Sequence, residues 1–301
     1  MSEVATQRAR QLLKILDLEQ IERDLYLGAN EAPFVLGSAS PRRLFGGQVL
    51  AQATAAAYRT VDGCHLHSLH GYFLRAGSSA RPVLYEIERI RDGRSFTTRR
   101  VVGIQNGEAI FAMDVSFQID EPGFDHAHPM PNVPLPAELR DDVLVAAELA
   151  ASAQQTDPRM SPMAKIERPF ETRSVFQLGS EAWAGDRHWS PVWIRFREPV
   201  DASDRVLARC LLAYASDMSL VSTAALPRQS QIQRSRLQLA SLDHALWVHR
   251  EVPIDHWLLF HKRTSTSQGA RGMVHADFYS ETGVLIASVT QEGLLRVRRE
   301  G

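Results

Sequence analysis

Two hydrophobic periods alternate along the chain. Leu12, Leu13, Ile15 and Leu16 recur at helical spacing between Arg8 and Leu18, which predicts an amphipathic helix. A turn-rich stretch around Pro33, Gly37, Ser38 and Pro41 comes next. Gly46-Gly47 then opens a run of small residues from Gln48 to Tyr58, with Ala51, Ala53, Ala55, Ala56 and Ala57. Alanine is the best helix former and the two glycines mark a start, so this run predicts a helix that can approach its neighbours closely. After Val61-Asp62-Gly63 the period changes. Leu66 to Leu74, Val83 to Ile90, Ser95 to Gln105 and Glu108 to Ile119 read as strands. Arg91-Asp92-Gly93 and Asn106-Gly107 supply the hairpin turns. The order is one helix and then an antiparallel meander.

Residues Asp120 to Ser161 break the pattern with Pro122, Pro129, Pro131, Pro134, Pro136 and Pro158, and read as a linker holding one helical piece, Asp141 to Ala151. The order then repeats. Phe170 to Phe176 and Val192 to Phe196 read as strands, and Ala202 to Asp217 as a helix with Val206, Leu207, Leu211, Leu212 and Tyr214 on its apolar side. Further strands run over Leu237 to His249, Trp257 to Ser265, Gly272 to Tyr279 and Val284 to Arg298. Laying Val83-Leu84-Tyr85 on Trp257-Leu258-Leu259 also lays Arg89 on Arg263; beyond the hairpins Gly107 falls on Gly283 and Ile110 on Ile286. Two helix-plus-meander units predict two sheets, each wrapped around its own helix, packed edge to edge.

Composition narrows the setting. A chain of 301 residues with 44% apolar residues can bury a sizeable core in each of two units. A formal net charge of −1 gives no bulk attraction to nucleic acid or anionic lipid. Cys64 and Cys210 are far apart and form no C-x-x-C pair, which argues for buried free thiols rather than a disulfide framework or zinc finger. No apolar run is long enough to span a bilayer. Met1 to Ala5 lack a signal-peptide pattern, and Arg298-Arg299-Glu300-Gly301 is not a peroxisomal tripeptide, so a cytoplasmic location is expected.

Ordered blocks carry a family resemblance. They are Phe45-Gly46-Gly47-Gln48-Val49, the run from His67 to Arg75 (HSLHGYFLR), Arg91-Asp92-Gly93-Arg94-Ser95-Phe96 and Ser116-Phe117-Gln118. In the second half they are Tyr214-Ala215-Ser216-Asp217, the run from Leu242 to His249 (LDHALWVH), and Val289-Thr290-Gln291-Glu292-Gly293. Together they resemble the bacterial acyl-CoA thioesterase II family, which includes the peroxisomal long-chain acyl-CoA thioesterases. The resemblance runs from the first helix to Arg296. It implies an α+β double-hotdog fold, with one hotdog unit in residues 1–120, a Pro-rich linker in 121–165 and a second unit in 166–301. It further implies hydrolysis of acyl-CoA to fatty acid and coenzyme A without a cofactor, and a homo-oligomer, dimer or tetramer. Its catalytic trio is an Asp on the second central helix, a Thr or Ser just before the [IL]-D-H block, and a Gln in the last strand. These fall on Asp217, Ser241 and Gln291, with Ser where many bacterial members have Thr. Both residues supply one hydroxyl.

The chemistry suits those residue types. A thioester carbonyl is electrophilic, and a thiol of pKa about 8.5 leaves without a strong acid. The demanding step is delivering water, which a carboxylate can deprotonate and hold in line. Burial after an apolar helix should raise the pKa of Asp217, and Ser241 and Gln291 can orient the water or stabilise the oxyanion. From the residues alone, Asp217 also reads as a helix-end residue beside Ser216, and Ser241 and Gln291 as ordinary polar strand positions. Asp243-His244 suggests a serine hydrolase, but no G-x-S-x-G elbow exists to partner it, and both are expected to satisfy local backbone groups. His65, His67 and His70 are a weak metal motif. Arg271, after Ser267-Gln268-Gly269-Ala270, is a candidate for a coenzyme A phosphate; Arg296, Arg298 and Arg299 read as a solvated strand end. Two alternatives stay open: a hotdog enoyl-acyl hydratase or dehydratase, for which His70 and His244 are the available histidines, and a non-catalytic acyl-CoA-binding regulator.

Overall fold

Backbone pairing across the meanders organises the whole molecule. The computed structural model describes residues 3–30, 43–151, 168–232 and 236–298, so the stretch around Pro33 to Pro41, the end of the linker and Arg299 lie outside the described residues. In the first half α1 (Glu3–Leu16) leads into the hairpin β1 (Glu19–Glu22) and β2 (Leu25–Gly28), then α2 (Gly46–Tyr58). The meander comprises β3 (His65–Phe73), β4 (Val83–Asp92), β5 (Phe96–Gln105) and β6 (Glu108–Gln118), and α3 (Asp142–Ala151) closes the described part of the linker. The second half comprises β7 (Phe170–Ser174), α4 (Glu181–Ala184), β8 (Trp189–Phe196), α5 (Arg205–Ser216), α6 (Leu220–Thr223) and β9 (Leu237–Ser241). It ends with β10 (Asp243–Val248), β11 (Leu258–Gln268), β12 (Arg271–Ser280) and β13 (Leu285–Val297).

The strands form one sheet of order β1-β2-β4-β5-β6-β3-β10-β13-β12-β11-β8-β7. Outward from the middle, the two halves match strand for strand. The seam is the antiparallel pair β3–β10, where Leu246 faces Leu69 and Ala245 faces His70. The two sheets expected to meet edge to edge are thus hydrogen-bonded into one, and this is the double hotdog. The central helices pack on each other across it, α2 also resting on β4, β5 and β6, and α5 reaching β3 and β10.

Local chemistry explains the elements. Every residue of α2 after Gly46 is buried, so its alanines serve close packing as much as helix propensity. Gln52, at its centre, donates to the Ile15 carbonyl at 2.8 Å and the Ala29 carbonyl at 2.9 Å, and accepts from Tyr85 Oη at 2.9 Å. A buried amide with its partners in place fixes α1, β2 and β4 onto one helix. The helix expected from Ala202 starts at Arg205, because Asp204 caps it by accepting the Leu207 N–H at 2.9 Å. The strand expected over Leu237 to His249 divides at Leu242. There the Leu242 N–H bonds the Glu292 carbonyl and its own carbonyl receives the Phe73 N–H. Beyond that point β10 pairs with both β3 and β13, whereas β9 keeps only β13. The β1–β2 hairpin lies outside the elements that the hydrophobic pattern predicts; its turn residue Asp24 adopts a left-handed φ of 59°.

Candidate active site

The carboxylate of Asp217 owes its position to the sharp turn between α5 and α6. Asp217 ends α5 with φ −88° and ψ −7°, and Ser219 turns the chain with a left-handed φ of 59° into α6. That helix sits in a trough made by Gly272 and Gly293, which face each other on β12 and β13. A Cβ on Gly293 would lie 2.1 Å from Val221 Cγ2, and one on Gly272 2.5 Å from Ala224 Cβ. Only glycines let the helix approach this closely, and the approach brings the end of α5 down over β13. Gln291 stands two residues before Gly293 on the same pleat face, so its side chain points to the same place.

The trio read from the sequence converges on one oxygen. Asp217 Oδ1 accepts from Gln291 Nε2 at 2.8 Å and from Ser241 Oγ at 3.3 Å. The carboxylate also receives the Gly47 N–H, at the start of α2 from the other half of the chain. A helix N-terminus favours negative charge there. Gly46 and Gly47, read as a helix start, have a second task. A Cβ on Gly46 would lie 2.7 Å from Asp217 Oδ2, and one on Gly47 2.4 Å from the Tyr214 carbonyl oxygen. Burial outweighs the donors. Desolvation pushes Asp217 up to about 6, with the bonds from Gln291, Ser241 and Gly47 pulling the other way.

A further residue belongs to this network. His244, expected to satisfy local backbone groups, does otherwise: Nδ1 lies 3.2 Å from Gln291 Nε2, and Nε2 lies 2.8 Å from Ser216 Oγ. Its neighbour Asp243 does accept a backbone N–H, that of Glu292 at 2.7 Å. Burial lowers the His244 pKa to about 3, so the ring is neutral. Gln291 Oε1 is buried with no hydrogen-bond partner in the protein. The arrangement therefore offers a basic carboxylate, a hydroxyl and an unpaired amide oxygen in a site shielded from bulk water. Such a site can hold and deprotonate one water molecule.

Other sequence candidates sit elsewhere. Arg271 opens β12, half-exposed and paired with Glu292 Oε1 at 2.9 Å. It stands three positions from Val274, the cross-strand partner of Gln291, and so about 10 Å along the strand from the trio. His67 Nε2 is bonded to Ser116 Oγ at 2.8 Å, and the His70 ring packs edge-on against Trp247 at 5.0 Å. Among the described residues no group of three or more His, Cys, Asp or Glu side chains is placed to hold a metal ion. Cys64 and Cys210 are free thiols, the latter buried. No helix among the described residues is long and apolar enough to cross a membrane.

Comparison with known proteins bears on this site. A family model described as acyl-CoA thioesterase matches residues 163–294, and one described as acyl-CoA thioesterase N-terminal domain matches residues 37–118. The chain is 36% identical to acyl-coenzyme A thioesterase 8 of Mus musculus over 289 residues, which is 94% of this chain and 88% of that one. It is 34% identical to acyl-CoA thioesterase 2 of Haemophilus influenzae, with 95% of this chain and 96% of that one covered. The crystal structure of an acyl-CoA thioesterase II from Mycobacterium marinum superposes with a TM-score of 0.76 at 35% identity, covering 97% of this chain and 99% of that one.

Proposed function

This chain belongs to the acyl-CoA thioesterase family and hydrolyses acyl-CoA thioesters, and we propose that the attacking water is held and deprotonated by Asp217, Ser241 and Gln291. The observation that carries this reading is the meeting of Gln291 Nε2 and Ser241 Oγ on Oδ1 of the buried Asp217 carboxylate. A carboxylate with pKa about 6 is ionised at neutral pH yet more basic than one in water. Asp217 takes a proton from the water as its oxygen adds to the acyl carbonyl. The tetrahedral intermediate then expels coenzyme A thiolate, with cleavage of the C–S bond and release of the fatty acid. The thiolate needs little help in leaving, because its conjugate thiol has a pKa of about 8.5. The proton on Asp217 returns to the thiolate or to solvent.

We expect medium- to long-chain substrates, and an assembly of two or four identical chains working in the cytoplasm. Thiol release measured over short, medium and long acyl-CoAs tests the reaction and its chain-length range. Asp217→Asn tests the assignment: turnover should fall about 10²–10⁴-fold with substrate binding retained. Near-wild-type turnover in that variant would make Asp217 structural. Sedimentation velocity of the full chain checks the assembly; a monomer at assay concentration would contradict it.

A further inference from the structure

Protons can be counted through the buried network behind the trio. Ser216 Oγ lies 2.9 Å from the Ala213 carbonyl oxygen, which can only accept, so the hydroxyl directs its one proton there. Toward His244 Nε2, at 2.8 Å, the same oxygen must then accept, and Nε2 carries the ring proton. The ring is neutral, which leaves Nδ1 bare and facing Gln291 Nε2 at 3.2 Å. The second Gln291 amide proton goes to Asp217 Oδ1 at 2.8 Å. Both amide protons are engaged. Rotating the amide by half a turn would set Oε1 against a carboxylate and a ring lone pair, two acceptors facing an acceptor. Gln291 Oε1, buried and without a protein partner, is thereby committed as an acceptor.

We propose that His244 is a positioning residue for hydrolysis: it locks the Gln291 amide so that Oε1 accepts a hydrogen bond from the attacking water and Nε2 is withheld from the oxyanion. The inference rests on the trio proposed under the function and decides between the two roles the sequence leaves open to Gln291, orienting the water or stabilising the oxyanion. Water then has two acceptors, the Asp217 carboxylate for the proton it loses and Gln291 Oε1 for the one it keeps. The oxyanion draws its donors from elsewhere.

Two substitutions in the full chain separate this role from simple core filling. Asparagine places its Oδ1 near the position of His Nδ1 and can still accept from Gln291. Glutamine is closer to histidine in volume but places its amide near Nε2 and leaves the Nδ1 position empty. With a medium-chain acyl-CoA, His244→Asn should keep kcat within about threefold of wild type, and His244→Gln should lower it about ten- to thirtyfold with KM little changed. The acid limb of the pH profile should also move upward in His244→Gln, because a loosened Gln291 donates less to Asp217. Equal kcat in the two variants, or a better His244→Gln, would mean that volume alone matters and would overturn the proposal. Nitrogen-15 NMR of the histidine-labelled wild type is independent of how either variant folds. It should show one ring that stays an Nε2–H tautomer from about pH 5 to 8. The lack of any such ring overturns the proposal as well. Full activity in Asp217→Asn would instead refute the trio, while the tautomer result still reports on His244.

Discussion

Asp217→Asn should make the protein more stable at neutral pH while removing most of its turnover. The carboxyl is buried, and its pKa stands at about 6 against 3.8 for the free group, because desolvation outweighs the bonds it accepts. A raised folded-state pKa means that the folded chain binds this proton more tightly than the unfolded chain. Between about pH 4 and 6 the folded state keeps a proton that the unfolded state has lost, so stability falls as pH rises through that window. Below it both states are protonated and the penalty is absent; above it the penalty is complete. Two pKa units at 1.36 kcal/mol each amount to about 3 kcal/mol. Asparagine is neutral throughout and escapes this cost. Its oxygen can still accept from Gln291, but an amide nitrogen now stands where Oδ2 was, which takes back about 1 kcal/mol. The net expectation is a gain of about 2 kcal/mol at pH 8 and a loss of about 1 kcal/mol at pH 4. Denaturant midpoints of wild type and variant at the two pH values measure it. Turnover should fall about 10²–10⁴-fold at the same time. Opposite changes in stability and rate cannot come from a damaged fold. If the two stability curves run parallel in pH, Asp217 does not bear the desolvated charge on which the mechanism depends.

The same pKa predicts that kcat/KM rises with pH through about 6 and then levels; a flat profile between pH 5 and 8 would deny Asp217 the role of base. Ser241→Thr should keep most activity, while Ser241→Ala, losing one hydroxyl contact, should lose about 5- to 150-fold. A stoichiometric burst of thiol in wild-type pre-steady-state traces would instead make Ser241 a nucleophile. Gly46→Ala places a Cβ 2.7 Å from Asp217 Oδ2 and should cut kcat at least about tenfold by displacing the carboxylate, at a stability cost of about 1–3 kcal/mol read from thermal melts. Residues 166–301 expressed alone lack the Gly47 N–H and leave the β10 edge bare, so they should be inactive and prone to aggregate; thiol release by that fragment would contradict the composite site.

Most of the fold was legible because most of it obeys periodicity. The meanders appear as alternating runs ended by Arg91-Asp92-Gly93 and Asn106-Gly107, and the alanine run appears as a close-packing helix. Elements fixed by tertiary contact were not legible. The break at Leu242 depends on β3 departing from one side of the strand, and nothing in Leu-Asp-His states that departure. The β1–β2 hairpin has no glycine or asparagine at its turn, and Asp24 takes the left-handed conformation with Arg89 holding its carboxylate at 2.8 Å. The site was legible only where a family motif marks it. Gly46-Gly47 could be seen as a helix start but not as the room needed beside Asp217 Oδ2, since that neighbour lies on another helix, far along the chain. His244 gave no signal beyond its place next to Asp243.

The matching halves sharpen the reason. On the inner face of the first half Leu69 of β3 faces Val115 of β6, both fully buried. In the second half the strands that mirror them, β10 and β13, bring His244 and Gln291 together at an equally buried place. At this place the apolar pattern is kept in one half and interrupted in the other by polar side chains that bond one another. Each group is costly to bury alone, and each becomes tolerable through its neighbour: His244 through Ser216, Gln291 through His244 and Asp217. The interruption at this place occurs in one half only, because the first half keeps Leu69 and Val115 at the matching positions. The first half then contributes the α2 N-terminus, whose Gly47 N–H faces the carboxylate of the network. A symmetric chain with polar groups at both places would double the buried charge without doubling that support. On the proposed mechanism the asymmetry is part of the catalyst: one half keeps the place apolar, and the other carries the reactive groups.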